Sequence, residues 1–189
     1  MLAAYYFYSS LIEGNAFYKI NTWEKGTILF DDVVYNDIWM KYETVADQLI
    51  VTADTSTGIF ISLFRQRVKE FSYAGMQFIR LEKQTDRNVP EIGYYQILAK
   101  GKLTAYERNV KTLKEIIDGT TLIRRFEEKI KYHVEKDGKF YSIDNKNDLL
   151  SLCKDHKKEV QQFISANKIK FHKNLEPAIA TVTAFYNRL

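Results

Sequence analysis

Cysteine, proline and glycine are scarce in this sequence, and long apolar runs are missing. Among its 189 residues there is one cysteine, Cys153, so no disulfide can form within the chain. Two prolines and eight glycines leave little material for long linkers or disordered segments. No apolar run approaches the roughly 20 residues that span a bilayer as a helix, so we expect no transmembrane segment.

The rest of the composition is that of one folded domain. Apolar residues make up 46% of the chain and aromatic residues 14%, which is enough to form a core in a single domain covering residues 1–189. The net charge of +4 is uneven, since residues 129–173 hold eleven lysines and six carboxylates. These lysines form either the solvated face of helices or a surface for acidic partners.

Alternating apolar residues and short turn signals predict antiparallel strands over residues 17–143. Asp137-Gly138, between two alternating runs, is typical of a type I′ hairpin turn. Ala74-Gly75 and Lys100-Gly101 indicate two further turns. Many short strands joined by short turns favour a meander-like sheet or a partly closed barrel. We expect three aromatic side chains to fill its core, those of Trp23, Trp39 and Tyr42.

From residue 144 to residue 189 the apolar period changes to that of α-helices. Asp144 or Asn145 is suited to cap the first helix, and Asn174 with Pro177 is suited to begin the last. We expect two or three helices to cover one face or end of the sheet. Their apolar stripe is formed by Leu149, Leu152, Phe163, Ile179, Val182 and Phe185.

The stretch Cys153-Lys154-Asp155-His156 combines a thiol, a carboxyl group and an imidazole. One continuous helix would bury Cys153 and His156 on one face, whereas a break at Lys154 would make Asp155 a helix cap and leave His156 in water. We favour the break, because aspartate suits a helix N-terminus. Neither arrangement supplies the base, orienting group and oxyanion hole that a catalytic thiol needs. Zinc would need three or four ligands, and the histidines are scattered at positions 133, 156 and 172.

Other motifs of enzymes are incomplete or missing. Residues 49–58, LIVTADTSTG, are similar to the aspartic-protease loop, but Ser56 stands where that loop has glycine, so we interpret them as a polar hairpin loop. On a strand the adjacent carboxylates Asp31-Asp32 and Glu127-Glu128 would point to opposite faces, so neither pair forms a two-carboxylate site, and we interpret them as turn and surface residues. No phosphate-binding, dinucleotide-binding, zincin or nucleophile-elbow motif occurs. The sequence therefore predicts no catalytic residue, no cofactor and no metal.

Four consecutive aromatic residues, Tyr5, Tyr6, Phe7 and Tyr8, lie near the start of the chain. As a strand they would present aromatic rings on both faces and need cover on both sides. They either pack within their own chain or contact a protein partner. The segment MLAAYYFYSS lacks a basic region and its apolar run is short for a signal peptide. A cytosolic start and a secreted protein whose signal has been removed both stay open.

Nucleic acid is another partner class for a basic, aromatic-rich β protein. Stacking platforms place aromatic rings and basic side chains on one surface. Here the lysines concentrate in the helical part, whereas many aromatic residues lie in the β part. The sequence therefore disfavours a nucleic-acid partner.

Two stretches resemble a family of uncharacterised secreted or periplasmic proteins of Bacteroidetes. The first is EGNAFYKINTWEKGTILFDDVVYNDIWMKYETVADQLIV, with its W-x-x-G strand, acidic turn, Tyr-Asn pair and M-x-Y strand. The second is NKNDLLSLCKDHKKEVQQFISANKIKF with the final AFYNRL. The resemblance covers most of the chain and implies a cell-envelope location and a helix break at Asp155. It implies no activity.

Together these observations predict an α+β protein, with an antiparallel β part over residues 17–143 and a helical part over residues 144–189. We expect a non-enzymatic cell-envelope protein that binds a protein partner or ligand. One alternative is an enzyme whose site is assembled from scattered residues, which predicts a closed pocket holding a carboxylate or histidine with a shifted pKa. The other alternative is a nucleic-acid-binding protein.

Overall fold

The computed structural model describes residues 9–82, 88, 90–119 and 121–189, in which the strands precede the helices. The strands are β1 Ser9–Glu13, β2 Glu24–Phe30, β3 Val33–Glu43, β4 Gln48–Thr52, β5 Ile61–Ser62, β6 Val68–Tyr73, β7 Met76–Leu81, β8 Gly93–Ala99, β9 Thr104–Asp118, β10 Thr121–Lys136 and β11 Lys139–Ser142. The helices are α1 Lys146–Leu152, α2 Lys157–Ala166 and α3 Leu175–Tyr186, with a 3-10 helix at Lys154–His156. The predicted α+β class is confirmed.

The described strands form one sheet, in the order β1, β10, β9, β8, β7, β6, β2, β3, β4, β5, with β11 also paired to β10. All of these pairs are antiparallel except that of β1 with β10. Within the described residues the two ends of the sheet do not pair with each other, so the sheet is not closed. Among the residues described, β5 is an edge strand that pairs with β4 alone.

Three of the hairpins turn on two residues that both have positive φ, as type I′ turns require. Asp137-Gly138 joins β10 to β11, with φ of 51° and 75°. Ala74-Gly75 joins β6 to β7, with φ of 50° and 75°. Asp31-Asp32 joins β2 to β3, with φ of 48° and 63°. The turns predicted at residues 74–75 and 137–138 are confirmed, and Lys100-Gly101 lies between β8 and β9 as expected.

The sheet begins earlier than the predicted start at residue 17. Strand β1, Ser9–Glu13, pairs in parallel with the beginning of β10, and Leu11 lies opposite Ile123. Because these residues are far apart in the sequence, no local pattern signals their pairing. The β part therefore contains one parallel pair that the antiparallel prediction did not include.

An aromatic core lies on one face of the sheet. Phe71 and Phe78 stack with ring centroids 4.6 Å apart, and the ring of Tyr42 lies edge-on to Phe78 at 5.3 Å. Tyr42 is buried here as predicted. Trp23 and Trp39 are only half-buried, so their predicted place in the core is wrong. Each lies beneath a lysine ammonium, Trp23 beneath that of Lys41 and Trp39 beneath that of Lys25.

A buried ion pair joins the turn after β3 to strand β9. The Arg108 guanidinium donates to both carboxylate oxygens of Asp47, at 2.9 and 3.0 Å, and to the backbone carbonyl of Tyr94 at 3.0 Å. The Tyr42 hydroxyl donates to the same carboxylate at 2.5 Å. At Gly93 a Cβ atom would lie 2.4 Å from both Arg108 and Asp47, so only glycine fits beside this pair.

The helices share a second core with strands β9 and β10. In this cluster Ile179, Val182 and Leu149 are fully buried with Ala105 and Val134. Leu152 is buried in the same cluster. The rings of Phe163 and Phe185 are half-buried and stack on each other with centroids 3.9 Å apart.

The break between the first two helices lies where it was predicted, but its cap is different. Asn145 caps α1 through a capping box with Asp148. The residue preceding α2 is His156, and no side chain caps that helix. Asp155 was predicted to be this cap, which is wrong. Its carboxylate instead accepts hydrogen bonds of 3.0 and 2.8 Å from the Tyr186 hydroxyl, so it ties the break to α3.

Candidate functional site

The residues first considered for a site are not brought together. Tyr5, Tyr6, Phe7 and Tyr8, the predicted partner contact, lie outside the described residues. Cys153 is buried, and burial raises the pKa of its thiol to about 11, which keeps it protonated near neutral pH. In the described part of the chain, no group of three or more His, Cys, Asp or Glu residues is placed to hold a metal ion.

A buried carboxylate, that of Glu107, lies where β9 meets the start of α3. The Tyr18 hydroxyl donates to it at 2.6 Å, and the Lys19 ammonium lies 3.4 Å away. Lys19 also pairs with Glu176 of α3 at 2.7 Å, so the cluster links the chain before β2 to both β9 and α3. Burial raises the pKa of Glu107, against the opposing effects of the Tyr18 hydrogen bond and the Lys19 charge. Its contacts are all with groups of this chain.

This raised pKa gives a testable dependence of stability on pH. The folded protein keeps the Glu107 proton to a higher pH than the unfolded chain does. The contribution of Glu107 to the free energy of unfolding is therefore complete below the unfolded pKa of 4.5, and it is lost as the pH rises through the folded pKa. Glu107→Gln removes this loss. We expect the variant to gain stability relative to the wild type between pH 4 and pH 7, measured by urea unfolding. A relative loss over that range would contradict the assignment.

A second buried titratable group, His133 of β10, lies on the other face of the sheet. Its side chain is 3% exposed, and neither ring nitrogen has a hydrogen-bond partner among the described residues. Burial lowers its pKa, so the imidazole is neutral at neutral pH. The ring of Tyr95 packs against it, with centroids 6.0 Å apart. His133 is thus packed as a core residue.

The two most exposed large apolar residues among those described, Ile59 and Phe64, lie on either side of the edge strand β5. Four side chains within six residues are each more than half exposed: Ile59 at 73%, Phe60 at 58%, Ile61 at 63% and Phe64 at 70%. We call these four residues the β5 edge. A concentration of large apolar side chains on a surface marks an interaction site more often than scattered ones do.

The backbone of the β5 edge has an unpaired side. The N–H of Leu63 donates to the carbonyl of Leu49 on β4, at 2.9 Å. The N–H and C=O groups of successive residues alternate in direction along a strand. The N–H and C=O of Ser62, and the N–H of Phe60, therefore point away from β4. Within the described residues no strand takes up these groups. Such an edge is a template for another strand.

An apolar depression lies on each face of the sheet, beside residues that adjoin β5. The depression on the face of the aromatic core, the core-side depression, has a volume of about 240 Å³ and is lined by Ile28, Phe30, Tyr35, Ile38, Val51 and Leu63. The depression on the opposite face, the outer depression, has the same volume and is lined by residues that include Phe17, Trp23, Lys41, Ile50, Ile59 and Phe60. Both volumes are below the roughly 300–1,000 Å³ of small-molecule sites, and they suit single side chains.

Two larger depressions are more polar in character. One of about 440 Å³ lies between the start of α1 and residues 169–172, and one of about 360 Å³ lies along β6 and β7. Neither is lined by Glu107, His133 or Cys153, the buried carboxyl, imidazole and thiol groups whose pKa values are shifted. The enzyme alternative, which predicts such a group in a pocket, gains no support from them.

Sequence reasoning treated the β5 edge only as a strand, GIFISLF, following a polar turn. The signal that could have indicated a surface is the run of apolar residues at positions 59, 60 and 61. A strand with one buried face alternates polar and apolar residues, whereas this run offers apolar side chains to both faces.

No family model, curated protein or solved structure matches the chain. The resemblance to secreted or periplasmic proteins of Bacteroidetes therefore stays a prediction. None of the helices in the described ranges has the length and apolar character that a membrane crossing requires. The fold and the candidate site define an α+β protein with an open sheet and an apolar, unpaired edge.

Proposed function

We propose that this protein is a non-enzymatic binding protein of the cell envelope, and that its partner is a protein segment that adds as a strand to the β5 edge. The observation that carries the proposal is the combination of unpaired backbone groups with an apolar depression on each face. Successive side chains of an added strand point to opposite faces. The side chains on one face of the added strand would enter the core-side depression, and those on its other face would enter the outer depression.

This arrangement specifies the chemistry of the partner. The segment must be extended, must present its backbone to Phe60 and Ser62, and must carry apolar side chains at consecutive positions. Backbone hydrogen bonds would supply affinity and the two depressions specificity. The cell-envelope location of this partner is supported by the resemblance to the Bacteroidetes family.

A synthetic peptide tests the proposal directly. The probe is a fluorescent peptide with consecutive Val, Phe, Ile and Leu residues between polar ends. The matched control is the same peptide with N-methyl groups on alternate residues, which removes the donors along one edge. We expect saturable binding of the probe, measured by fluorescence anisotropy, and none of the methylated peptide. Equal binding of the two peptides would indicate nonspecific hydrophobic binding and would reject strand addition. Binding of neither peptide would reject the proposal.

A further inference from the structure

Strands β9 and β10 extend beyond the body of the sheet as an arm. The β arm consists of residues 112–118 of β9, residues 121–128 of β10, and β1. Strand β8 pairs with β9 only between residues 105 and 107, so the arm has no described neighbour beyond β9. Every residue from 112 to 119 is exposed. Three strands in water need an apolar face covered to be stable, and the described residues supply no such cover.

The free edge of the arm belongs to β9. The N–H of Lys111 points away from β10, since it donates to the carbonyl of Thr44. By the alternation of a strand, the N–H and C=O groups of residues 113, 115 and 117 point to the same free side. Leu113, Ile116 and Ile117 are 41%, 40% and 68% exposed along it. This edge is longer and more regular than the edge at β5.

We propose that two copies of this chain join through the free edges of β9, antiparallel, about a two-fold axis that passes through Ile116. In this register Ile116 lies opposite Ile116 of the second copy. Residues 115 and 117 then exchange backbone hydrogen bonds across the axis, using the groups that point to the free side. A two-fold contact of this kind closes on itself and forms a dimer. This inference is independent of the proposed function at β5.

The charges of β9 favour this register over those centred on Lys114 and Glu115. Lys114 of each copy lies opposite Asp118 of the other, which gives two pairs of opposite charge. An axis through Lys114 would set two lysines opposite each other, and one through Glu115 would set two glutamates opposite. An axis through Leu113 would need the backbone N–H of Lys111, which already donates to the carbonyl of Thr44.

The apolar residues of the arm agree with the same register. Leu11, Ile123 and Ile116 lie side by side across β1, β10 and β9. Joining two arms at Ile116 continues this row through the second copy, so that six apolar side chains lie across six strands. Lys114 and Asp118 flank the row on the same face. In the dimer, the apolar row therefore has charged side chains on both sides of it.

A cross-link tests the axis. In a non-hydrogen-bonded antiparallel pair the two Cα atoms lie about 4.5 Å apart, within reach of a disulfide. The natural cysteine, Cys153, is fully buried and does not compete. We expect Ile116→Cys to form a disulfide-linked dimer under mild oxidation, seen on a non-reducing gel. Thr112→Cys, exposed on the same face but far from the axis, is expected to give no disulfide-linked dimer on the same gel. Absence of the dimer, or equal cross-linking of both variants, would overturn the proposal.

Charge reversal tests the register. Lys114→Asp and Asp118→Lys each set like charges opposite each other twice, and we expect each to raise the dimer dissociation constant about tenfold or more. The double variant restores opposite charges and is expected to regain dimerisation, measured by sedimentation equilibrium of the full chain. Circular dichroism verifies that each variant is folded. A wild-type chain that stays monomeric at the highest soluble concentration, or a double variant weaker than both single variants, would contradict the register.

Discussion

Asp47→Ala is expected to destabilise the protein by about 3–5 kcal/mol, because it leaves the Arg108 guanidinium buried without its counter-charge. The Arg108 residue is 6% exposed and Asp47 is 8% exposed, so water replaces little of the lost interaction. The substitution also removes the acceptor of the Tyr42 hydroxyl. Urea unfolding followed by tryptophan fluorescence measures the free energy of unfolding of the variant and the wild type.

A matched substitution separates charge from shape at this position. Asp47→Asn keeps one acceptor oxygen for Arg108 and suits the positive φ of 56° at this residue, since asparagine adopts that conformation readily. We expect its loss of stability to be clearly smaller than that of Asp47→Ala. Equal losses would show that the charge of Asp47 contributes little. A loss below about 1 kcal/mol for alanine would contradict the buried pair altogether.

Ile61→Lys is expected to weaken binding of the apolar peptide about 30-fold, which corresponds to about 2 kcal/mol, the usual effect at a dominant interface residue. The Ile61 side chain lies opposite Val51, one of the residues that line the core-side depression. A lysine there would place a charge where a partner side chain must be buried. Because Ile61 is 63% exposed in the free protein, the fold should tolerate the change. Fluorescence anisotropy of the labelled peptide gives the two dissociation constants.

The control for Ile61→Lys is Ile12→Lys. Ile12 is also an exposed apolar residue, 61% exposed, but it lies in β1, at the opposite end of the strand order from β5. It adds the same charge to the protein at a remote position. We expect it to leave peptide binding unchanged. Equal weakening by both variants would indicate a general effect of charge and would count against a site at the β5 edge.

Local sequence signals predicted the parts of the fold that depend on few neighbouring residues. The turns at Ala74-Gly75 and Asp137-Gly138 are set by residues that tolerate positive φ, and the helix cap at Asn145 by its own side chain. In the long hairpin of β9 and β10, Gly119 directly follows β9 and has a positive φ of 56°, a conformation that glycine adopts readily.

The parts that were missed depend on residues far apart in the sequence. The parallel pairing of Leu11 with Ile123 and the contact of Tyr18 with Glu107 exist only once the sheet is assembled. Asp155 satisfies the rule for a helix cap, yet the Tyr186 hydroxyl of α3 binds it. The β5 edge illustrates the same limit, because the pattern GIFISLF indicates a strand but not that its outer side lacks a neighbour.

Hydrogen–deuterium exchange, with and without the apolar peptide, tests the central claim that β5 accepts an added strand. The outward N–H groups of Phe60 and Ser62 have no strand partner among the described residues, whereas that of Leu63 already donates to Leu49. We predict that the peptide slows exchange at Phe60 and Ser62 and changes little at Leu63. Peptide binding with protection elsewhere, and unchanged exchange at Phe60 and Ser62, would contradict the account.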